Sequence, residues 1–360
     1  MAVYKIFAEK DTTVYSEYNR QNTGMDAILE LVKENSLLYP GTSTTSRILI
    51  KFSDSDINDV INSYIQNRPF KAYVKLYLAD ANTIPVNYTL ETRPIADNWD
   101  MGTGKFGNIP QTKDGASWQL RTASTGSNWS SPSGSITGSY IIGNPGGGNW
   151  YSSSLSTQSF SEYVDKDIEM DVTSIINEFV SGSIINNGII IKNQEPIEFD
   201  SNYIYKLSYF SRDTNTIYPP VLELRWDDSS YITGSLISSE NMYVSIQNNY
   251  VTFNEDSKHR FRINAKEQFP VRTFTTSSLY SAVKLLPSSS YYSIRDAKTQ
   301  DIIIDFDDNY TKISSDSKGN YFDLYMNGLQ PERYYRILIK TNVSGNTVIL
   351  DDQMFFKIEE

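Results

Sequence analysis

The chain has no cysteine, a single histidine and no long apolar segment, and each shortage excludes a class of site. Without cysteine, its 360 residues can form no disulfide, thiolate zinc site, iron–sulfur cluster or cysteine nucleophile. With His259 as the only imidazole, one subunit cannot build a multi-histidine metal centre. The longest apolar runs, such as Ile189-Ile190-Ile191, are far shorter than a membrane span, so we expect no membrane insertion.

The chain is also poor in positive charge. It has 43 acidic and 32 basic residues and a formal charge of −11. Phosphate binding needs clustered Lys and Arg, and the basic residues here are scattered, so no nucleic-acid partner is expected. The first ten residues lack the charged leader, apolar core and small-residue cleavage site of a secretion signal, which predicts synthesis and folding in a cytoplasm.

What the chain has in quantity is aromatic residues, 26 Tyr, 16 Phe and 5 Trp, which suit pleated and half-buried surfaces. Residues 71–78, 222–226 and 334–339 are β-branched or aromatic runs of strand length. The fold class predicted is therefore all-β. A chain of this length also favours two hydrophobic cores over one.

Two segments have helical periodicity instead. From Asp54 onward, apolar residues follow at helical spacing, with Asp54 or Asp56 as the cap. A second helix is predicted from Asp171, with Gly182 placed for a left-handed C-terminal residue. The apolar positions are Ile57, Val60, Ile61, Tyr64 and Ile65 in the first, and Val172, Ile175, Ile176 and Phe179 in the second.

Two changes in composition predict the organisation of the chain. Residues 122–159 are rich in Ser, Gly, Asn and Thr, which predicts a long loop or set of loops on the β scaffold. Near residues 226–230 a strand ends in acidic and small residues, and a new strand-rich region follows. We therefore predict two domains, residues 1–228 and 229–360.

An ordered series of motifs extends over the first 227 residues. The segments are 11–15, 47–52 (R-I-L-I-K-F), 71–77, 97–102 (D-N-W-D-M-G), 170–176, 187–191 (N-G-I-I-I), 210–212 and 219–224 (P-P-V-L-E-L). In this order they resemble the carbohydrate-binding-module-like jelly-roll domain known as DNRLRE. The resemblance implies a β-sandwich in which segments 47–52 and 188–191 are central strands and the two helices cover the ends of the core. The stretch from Phe106 to Phe160 is longer and more polar than that family needs, so a contact specific to this protein is expected there.

The last 130 or so residues are predicted to form an Ig-like or fibronectin-III-like β-sandwich. Leu329 and Pro331 are followed by Tyr334 and Tyr335, and a Leu, then a Pro, then a Tyr entering a strand is similar to the tyrosine corner of such domains. Gly345-Asn346 is placed to turn a hairpin, and residues 353–358 to add one further strand.

A sugar-module-like jelly roll followed by an Ig-like domain, without cysteine or a secretion signal, resembles structural proteins of tailed bacteriophage particles. The resemblance implies a non-enzymatic virion protein, made and assembled in the host cytoplasm, whose partners are other virion proteins and copies of itself. A capsid, neck or tail position stays open. An enzyme acting on polysaccharide has the least support, because no motif marks a catalytic pair among the 43 acidic residues and the chain has no G-x-S-x-G element for a Ser–His–Asp triad.

Four aromatic residues lie within or beside the polar loop region: Trp118, Trp129, Trp150 and Tyr151. Exposed rings on a β scaffold stack on sugars, so the alternative function is an adhesion module, on a tail fibre or other surface appendage, that binds host glycan. The favoured interpretation is that these rings fix the loop to the sandwich or pack in an interface with another subunit.

Two acidic clusters are candidate calcium sites. Asp165, Asp167 and Glu169 alternate, so on a strand they would share one face and supply oxygen ligands for Ca²⁺. The favoured interpretation is a solvated face with no metal and no cofactor, because the spacing is not that of an EF-hand. The same holds for residues 305–308, where charge would keep an edge strand from pairing with other strands.

Overall fold

The computed structural model describes residues 2–38, 43–131, 133, 136–137, 140–141, 144–200, 202–247, 251–269 and 284–360. Strands dominate the described residues and helices are few and short, so the predicted all-β class is confirmed. The chain divides into two compact units. The larger unit comprises Ile6–Tyr64 and Lys71–Glu223, and the smaller comprises Met1–Lys5, Ile65–Phe70 and Leu224–Glu360. The division after Glu223 lies near the predicted boundary at residue 228, but short segments from earlier in the chain belong to the smaller unit.

Among the described residues, seventeen strands begin before the larger unit ends at Glu223. They are β1 (Ala2–Tyr15), β2 (Ile28–Asn35), β3 (Ser43–Phe52), β4 (Phe70–Leu76), β5 (Leu78–Asn82), β6 (Asn87–Pro94), β7 (Leu120–Thr122), β8 (Ser127–Asn128), β9 (Ile136–Thr137), β10 (Tyr140–Ile141), β11 (Asn144–Pro145), β12 (Trp150–Tyr151), β13 (Ser156–Ser161), β14 (Ile168–Asp171), β15 (Ile189–Asn193), β16 (Tyr205–Phe210) and β17 (Val221–Trp226). The main path of the large sheet runs β13-β6-β15-β3-β1-β17-β4-β14, and β2, β16 and β5 extend it from β3.

The R-I-L-I-K-F segment lies in β3, and the isoleucines of the G-I-I-I segment lie in β15. The two strands pair in the interior of this sheet, and both segments were predicted to be central strands. Side chains alternate along a strand, so Ile48 and Ile50 lie on one face of β3 and Arg47 and Leu49 on the other. All four residues are buried. Both faces of the sheet are therefore covered at this point.

In the part of the chain that the structure describes, three short α-helices accompany the strands: α1 (Asp54–Val60), continued by a π-helical segment (Ile61–Ile65), α2 (Thr173–Val180) and α3 (Glu195–Phe199). The first two were predicted. The predicted cap of α1 is wrong, because the Oγ of Ser53 accepts the bond from the backbone N of Asp56. Tyr64, expected on the apolar face, is 38% exposed. Helix α3 was not predicted.

The predicted long loop also contains short β-ladders. Strand β7 pairs with β8, β9 with β12, and β10 with β11. Part of this stretch lies outside the described residues. Gly146, Gly147 and Gly148 follow β11, and all three have positive φ angles that favour glycine.

The smaller unit has two sheets. Its strands are β18 (Met242–Gln247), β19 (Thr252–Asn254), β20 (Lys258–Glu267), β21 (Ser290–Asp296), β22 (Ile302–Ile304), β23 (Ser314–Asp316), β24 (Gly319–Tyr325), β25 (Tyr334–Val343) and β26 (Asn346–Glu359). One sheet has the order β18-β20-β24-β23 and the other β19-β26-β25-β21-β22. Phe261 and Phe322 from the first sheet share one apolar core with Ile337 and Phe356 from the second, which is the arrangement of a β-sandwich.

Two local predictions in this unit can be compared with the structure. The hydroxyl of Tyr335 donates to the backbone oxygen of Gln330 at 3.0 Å, which is the bond that a tyrosine corner makes. The predicted hairpin is present, but its turn is Ser344-Gly345, and both residues have positive φ angles. The further strand predicted at residues 353–358 is the continuation of β26 past an irregularity in the ladder.

Candidate functional site

Three of the four aromatic residues singled out in the sequence, the tryptophans, lie over the sheet face that carries Arg47, Leu49 and Ile190. Trp118, Trp129 and Trp150 are 0%, 8% and 6% exposed, and they share an apolar cluster with Leu49 and Ile190. Tyr151 is partly exposed. We call the sheet face beneath the three tryptophan rings, together with the rings themselves, the covered face.

Arg47 lies at the centre of the covered face and is fully buried. Its guanidinium carbon is 4.6 Å from the ring centre of Trp118 and 5.3 Å from that of Trp150, within the range of cation–π attraction. Its Nε donates to Glu198 at 2.7 Å, and its Nη1 donates to the backbone oxygen of Gly147 at 2.7 Å. One buried cation thus joins β3, α3 and the glycine-rich loop.

A second buried cation, Lys192, completes the network. Its Nζ is 2.8 Å from Glu91, 3.3 Å from Glu198 and 4.9 Å from the ring centre of Trp150. Burial alone would raise the pKa of Glu198, but its pairing with Arg47 and Lys192 outweighs that effect and the pKa is lowered. Glu198 is therefore held in the charged form that the two buried cations need.

The glycine-rich loop fits closely against this network. The backbone N of Gly147 donates to the oxygen of Trp118 at 2.6 Å. A Cβ at Gly147 would lie 2.7 Å from both Arg47 Nη1 and the Trp118 ring, closer than real Cβ contacts. Only glycine fits at this position, and the loop is fixed by Trp118 and Arg47 together.

This geometry gives the aromatic residues a role inside the protein. A ring that stacks on a sugar must expose one face, and the three indole rings are buried, so they offer no such platform in this structure. The backbone oxygen of Trp118 accepts the bond from Gly147, and the three rings pack in one cluster with Leu49 and Ile190 of the sheet. Glu198, the acid that holds the network together, was missed in the sequence because α3 was missed.

The calcium candidates lie on different local structures. Strand β14 begins at Ile168, so Glu169 lies on this strand while Asp165 and Asp167 precede it. Asp165 accepts from the backbone N of Asp167, and Asp167 accepts from the backbone N of Leu78 at 2.7 Å. Glu169 forms an ion pair with Lys75. Across the described parts of the chain, no group of three His, Cys, Asp or Glu side chains is arranged to hold a metal ion.

Two other acidic or titratable features have structural partners. Asp307 follows β22 and closes a turn by accepting from the backbone N atoms of Asn309 and Tyr310 at 2.7 and 2.9 Å. His259 lies 4.4 Å from the ring of Phe253 and 4.9 Å from that of Phe261. Burial lowers the pKa of His259, so the uncharged imidazole is favoured there.

Asp11 is a buried acid that the sequence did not single out as a titratable site. It is 1% exposed and accepts a bond from the backbone N of Arg212 at 2.7 Å. Burial is the largest cause that raises the pKa of Asp11, to about 7, and the nearby carboxylate of Asp213 adds to it. This carboxyl group therefore titrates near neutral pH.

A second region of the larger unit carries exposed apolar side chains on a well-fixed loop, residues 101–115, which we call the arm. The buried side chain of Asn22 donates to the backbone oxygens of Met101 and Ala116 at 2.7 and 2.9 Å and accepts from the backbone N of Gly104 at 2.8 Å. Asp26 accepts from the backbone N of Phe106 at 3.0 Å.

The tip of the arm is apolar and exposed. Ile109 is 97% exposed and Phe106 is 41% exposed, while the ring of Phe106 packs against Tyr15 and Tyr18 at 5.0 and 5.4 Å. An apolar side chain at a fixed loop tip is suited to a pocket in another molecule, since its burial there removes apolar surface from water.

Comparisons with known proteins give no family for the chain. No protein-family model matches it, and no curated protein matches it. Among solved structures, all of the chain aligns with 62% of a DUF4785 family protein from Legionella pneumophila, at 8% identity and a TM-score of 0.20. A β-glucuronidase from Parabacteroides merdae aligns over 96% of this chain and 35% of its own, at 9% identity and a TM-score of 0.16. The chain thus spans less than two thirds of either protein, and similarities of this size carry no argument about function.

No helix in the described segments is both long enough and apolar enough to span a lipid bilayer.

Proposed function

We propose that this protein is a non-catalytic structural component of a tailed bacteriophage particle and that it acts by contacting other particle proteins and copies of itself. The observation that carries the proposal is the arm. Its apolar tip is exposed, while its base is held by side-chain and backbone bonds. A loop fixed in this way loses little conformational freedom on binding, which favours a protein interface.

In this proposal the larger unit is a jelly-roll sandwich and the smaller unit is an Ig-like sandwich. The placement of the R-I-L-I-K-F and G-I-I-I segments as neighbouring strands supports the first assignment. The bond from Tyr335 to Gln330 supports the second.

The use of the covered face supports a non-catalytic role. Arg47, Glu198, Lys192 and Glu91 neutralise one another inside the protein, and their burial keeps them from a substrate in solution. The alternative of a glycan-binding adhesion module would need exposed rings at Trp118, Trp129 and Trp150, and no observation favours it at that position.

A matched pair of variants tests the proposal. Ile109→Asp places a charge on the arm tip, and Ile185→Asp makes the same change at another isoleucine of the larger unit, which is 74% exposed. We expect Ile109→Asp to reduce incorporation of the full chain into phage particles at least about tenfold, measured by quantitative mass spectrometry of purified particles, because a charge buried in an apolar contact is costly. Ile185→Asp should leave incorporation unchanged. Absence of the unmodified protein from the particles, or equal losses in both variants, would contradict the proposal.

A further inference from the structure

The four-stranded sheet of the smaller unit presents an exposed face with an unusual set of side chains. Along β20, the inward residues Phe261, Ile263 and Ala265 are buried. The alternate residues point outward. They are Lys258, Arg260, Arg262, Asn264 and Lys266, of which all are exposed or partly exposed. We call this surface, together with the outward residues of the flanking strands, the open face.

The flanking strands add aromatic rings and carboxylates to this row. Tyr243 of β18 lies opposite Lys266 and is 57% exposed. On the other side, Tyr321 and Asp323 of β24 lie opposite Arg262 and Arg260. The open face therefore combines flat rings with charged groups on a regular strand scaffold.

The two arginines of the open face pair with carboxylates on neighbouring strands. Arg260 donates two bonds to Asp323 at 2.6 and 3.0 Å, and Arg262 donates two bonds to Asp316 at 2.5 and 2.7 Å. Both guanidinium groups also lie over the ring of Tyr321, at 4.1 and 4.9 Å from its centre. These contacts hold the arginine side chains in fixed positions on the surface.

The open face is positive although the chain is acidic. The cations Lys258, Arg260, Arg262 and Lys266 face two carboxylates, those of Asp316 and Asp323, so four positive and two negative charges leave an excess of two. The chain as a whole carries −11. The ammonium group of Lys266 has no ion pair with the described residues. An anionic ligand would therefore be attracted to this face and repelled elsewhere.

We propose that the open face binds an acidic polysaccharide, in which sugars that carry carboxylates are spaced by neutral sugars. Carboxylates of such a chain match Lys266 and the N–H groups of the two arginines that do not bond to aspartate. The sugar hydroxyl groups can donate to the partly exposed Asp316, and the apolar side of a sugar ring can stack on Tyr243. A nucleic acid fits less well, because its closely spaced phosphates would meet the two aspartates.

The open face lies in the smaller unit and shares no residue with the arm or the covered face. Particle incorporation and polysaccharide binding are therefore independent measurements.

The test measures binding of the full chain to immobilised hyaluronate, with neutral dextran and poly(U) as the other ligands. We expect binding to hyaluronate that weakens as salt rises from about 50 mM to about 500 mM, and little or no binding to dextran or poly(U). Lys266→Glu should weaken hyaluronate binding about fivefold or more, since it replaces an attraction by a repulsion. Tyr243→Ala should also weaken it by removing the stacking surface.

Lys298→Glu is the matched control. Lys298 is exposed in the same unit, but it lies in the turn that follows β21, a strand of the other sheet. It changes the net charge by the same amount and should leave hyaluronate binding within about twofold of the unmodified protein. The proposal is overturned by no binding to hyaluronate, by equal losses in Lys266→Glu and Lys298→Glu, or by tighter binding to poly(U).

Discussion

Arg47 and Arg260 share two kinds of contact, an ion pair with an acid and an aromatic ring beneath the guanidinium group, in two different environments. Arg47, on the covered face, pairs with Glu198 and lies over Trp118, and both members of the ion pair are fully buried. Arg260, on the open face, pairs with Asp323 and lies over Tyr321, yet its side chain is 46% exposed. The contacts alone do not separate a residue that stabilises the interior from one that is available to a ligand.

The difference between the two arginines is solvent access. A buried ion pair interacts in a low-dielectric environment, and removal of one partner leaves a charge that water cannot reach. An exposed pair is screened by water and salt, so loss of one partner costs little. The covered face is therefore expected to determine stability, and the open face to determine binding.

The largest expected effect is from Glu198→Gln. The change keeps the size of the side chain and leaves the buried Arg47 and Lys192 with Glu91 as the remaining acid of the network. We expect the free energy of unfolding to fall by about 3–5 kcal/mol. Urea denaturation at pH 7 measures this, and a loss below about 1 kcal/mol would show that the network contributes little to stability.

Asp11→Asn tests a buried acid whose pKa moves in the direction opposite to that of Glu198. The folded-state pKa of Asp11, about 7, is above the value of 3.8 in a model peptide. The contribution of this carboxyl group to the stability of the folded state is therefore fully present below about pH 4 and is lost as the pH rises through 7.

Asn removes this titration and still accepts the bond from Arg212. We expect the variant to have the larger free energy of unfolding at pH 8. Its advantage over the unmodified protein should be about 3–4 kcal/mol greater at pH 8 than at pH 4. Denaturation curves at the two pH values measure the change. Parallel pH dependences for the two proteins would contradict the assigned pKa.

Gly147→Ala and Gly345→Ala compare two glycines with positive φ angles. A Cβ at Gly147 would lie 2.7 Å from Arg47 Nη1, whereas nothing lies within 4 Å of a Cβ at Gly345. We expect a loss of about 2–4 kcal/mol at Gly147, from backbone strain and overpacking together, and about 1 kcal/mol at Gly345 from strain alone. Thermal and urea unfolding measure both, and equal losses would argue against tight packing of the glycine-rich loop.

Arg260→Gln should have the smallest effect on stability, about 0–1 kcal/mol, because the Arg260 side chain is 46% exposed and Lys258 still pairs with Asp323. The same urea denaturation experiment measures it. A loss as large as that of Glu198→Gln would remove the distinction between the covered and open faces.

Local patterns in the sequence predicted much of the fold. Alternation predicted the strands, helical spacing predicted α1 and α2, and the pattern from Leu329 onward was similar to a tyrosine corner, where Tyr335 bonds to Gln330. These features depend on neighbours in sequence. Helix α3 has only five residues and too little periodicity to be recognised, which is why Glu198 was missed.

The roles of the aromatic and charged residues were harder to predict, because they depend on contacts between distant parts of the chain. Arg47 and Glu198 are 151 positions apart, and nothing in the sequence near Trp118 or Trp150 indicates that these rings cover a buried cation. The row on β20 could have been recognised from its alternation of basic and apolar residues. Its partners on β24 required the register of the sheet.

Arginine-specific modification with a dicarbonyl reagent, read by peptide mass spectrometry with and without hyaluronate, tests the contrast between the two faces most directly. Arg260 should react in the native protein and be protected by hyaluronate, while Arg47 should react only after unfolding. Modification of Arg47 at the rate of Arg260 in the native protein, or an unchanged rate at Arg260 when hyaluronate is bound, would contradict the account.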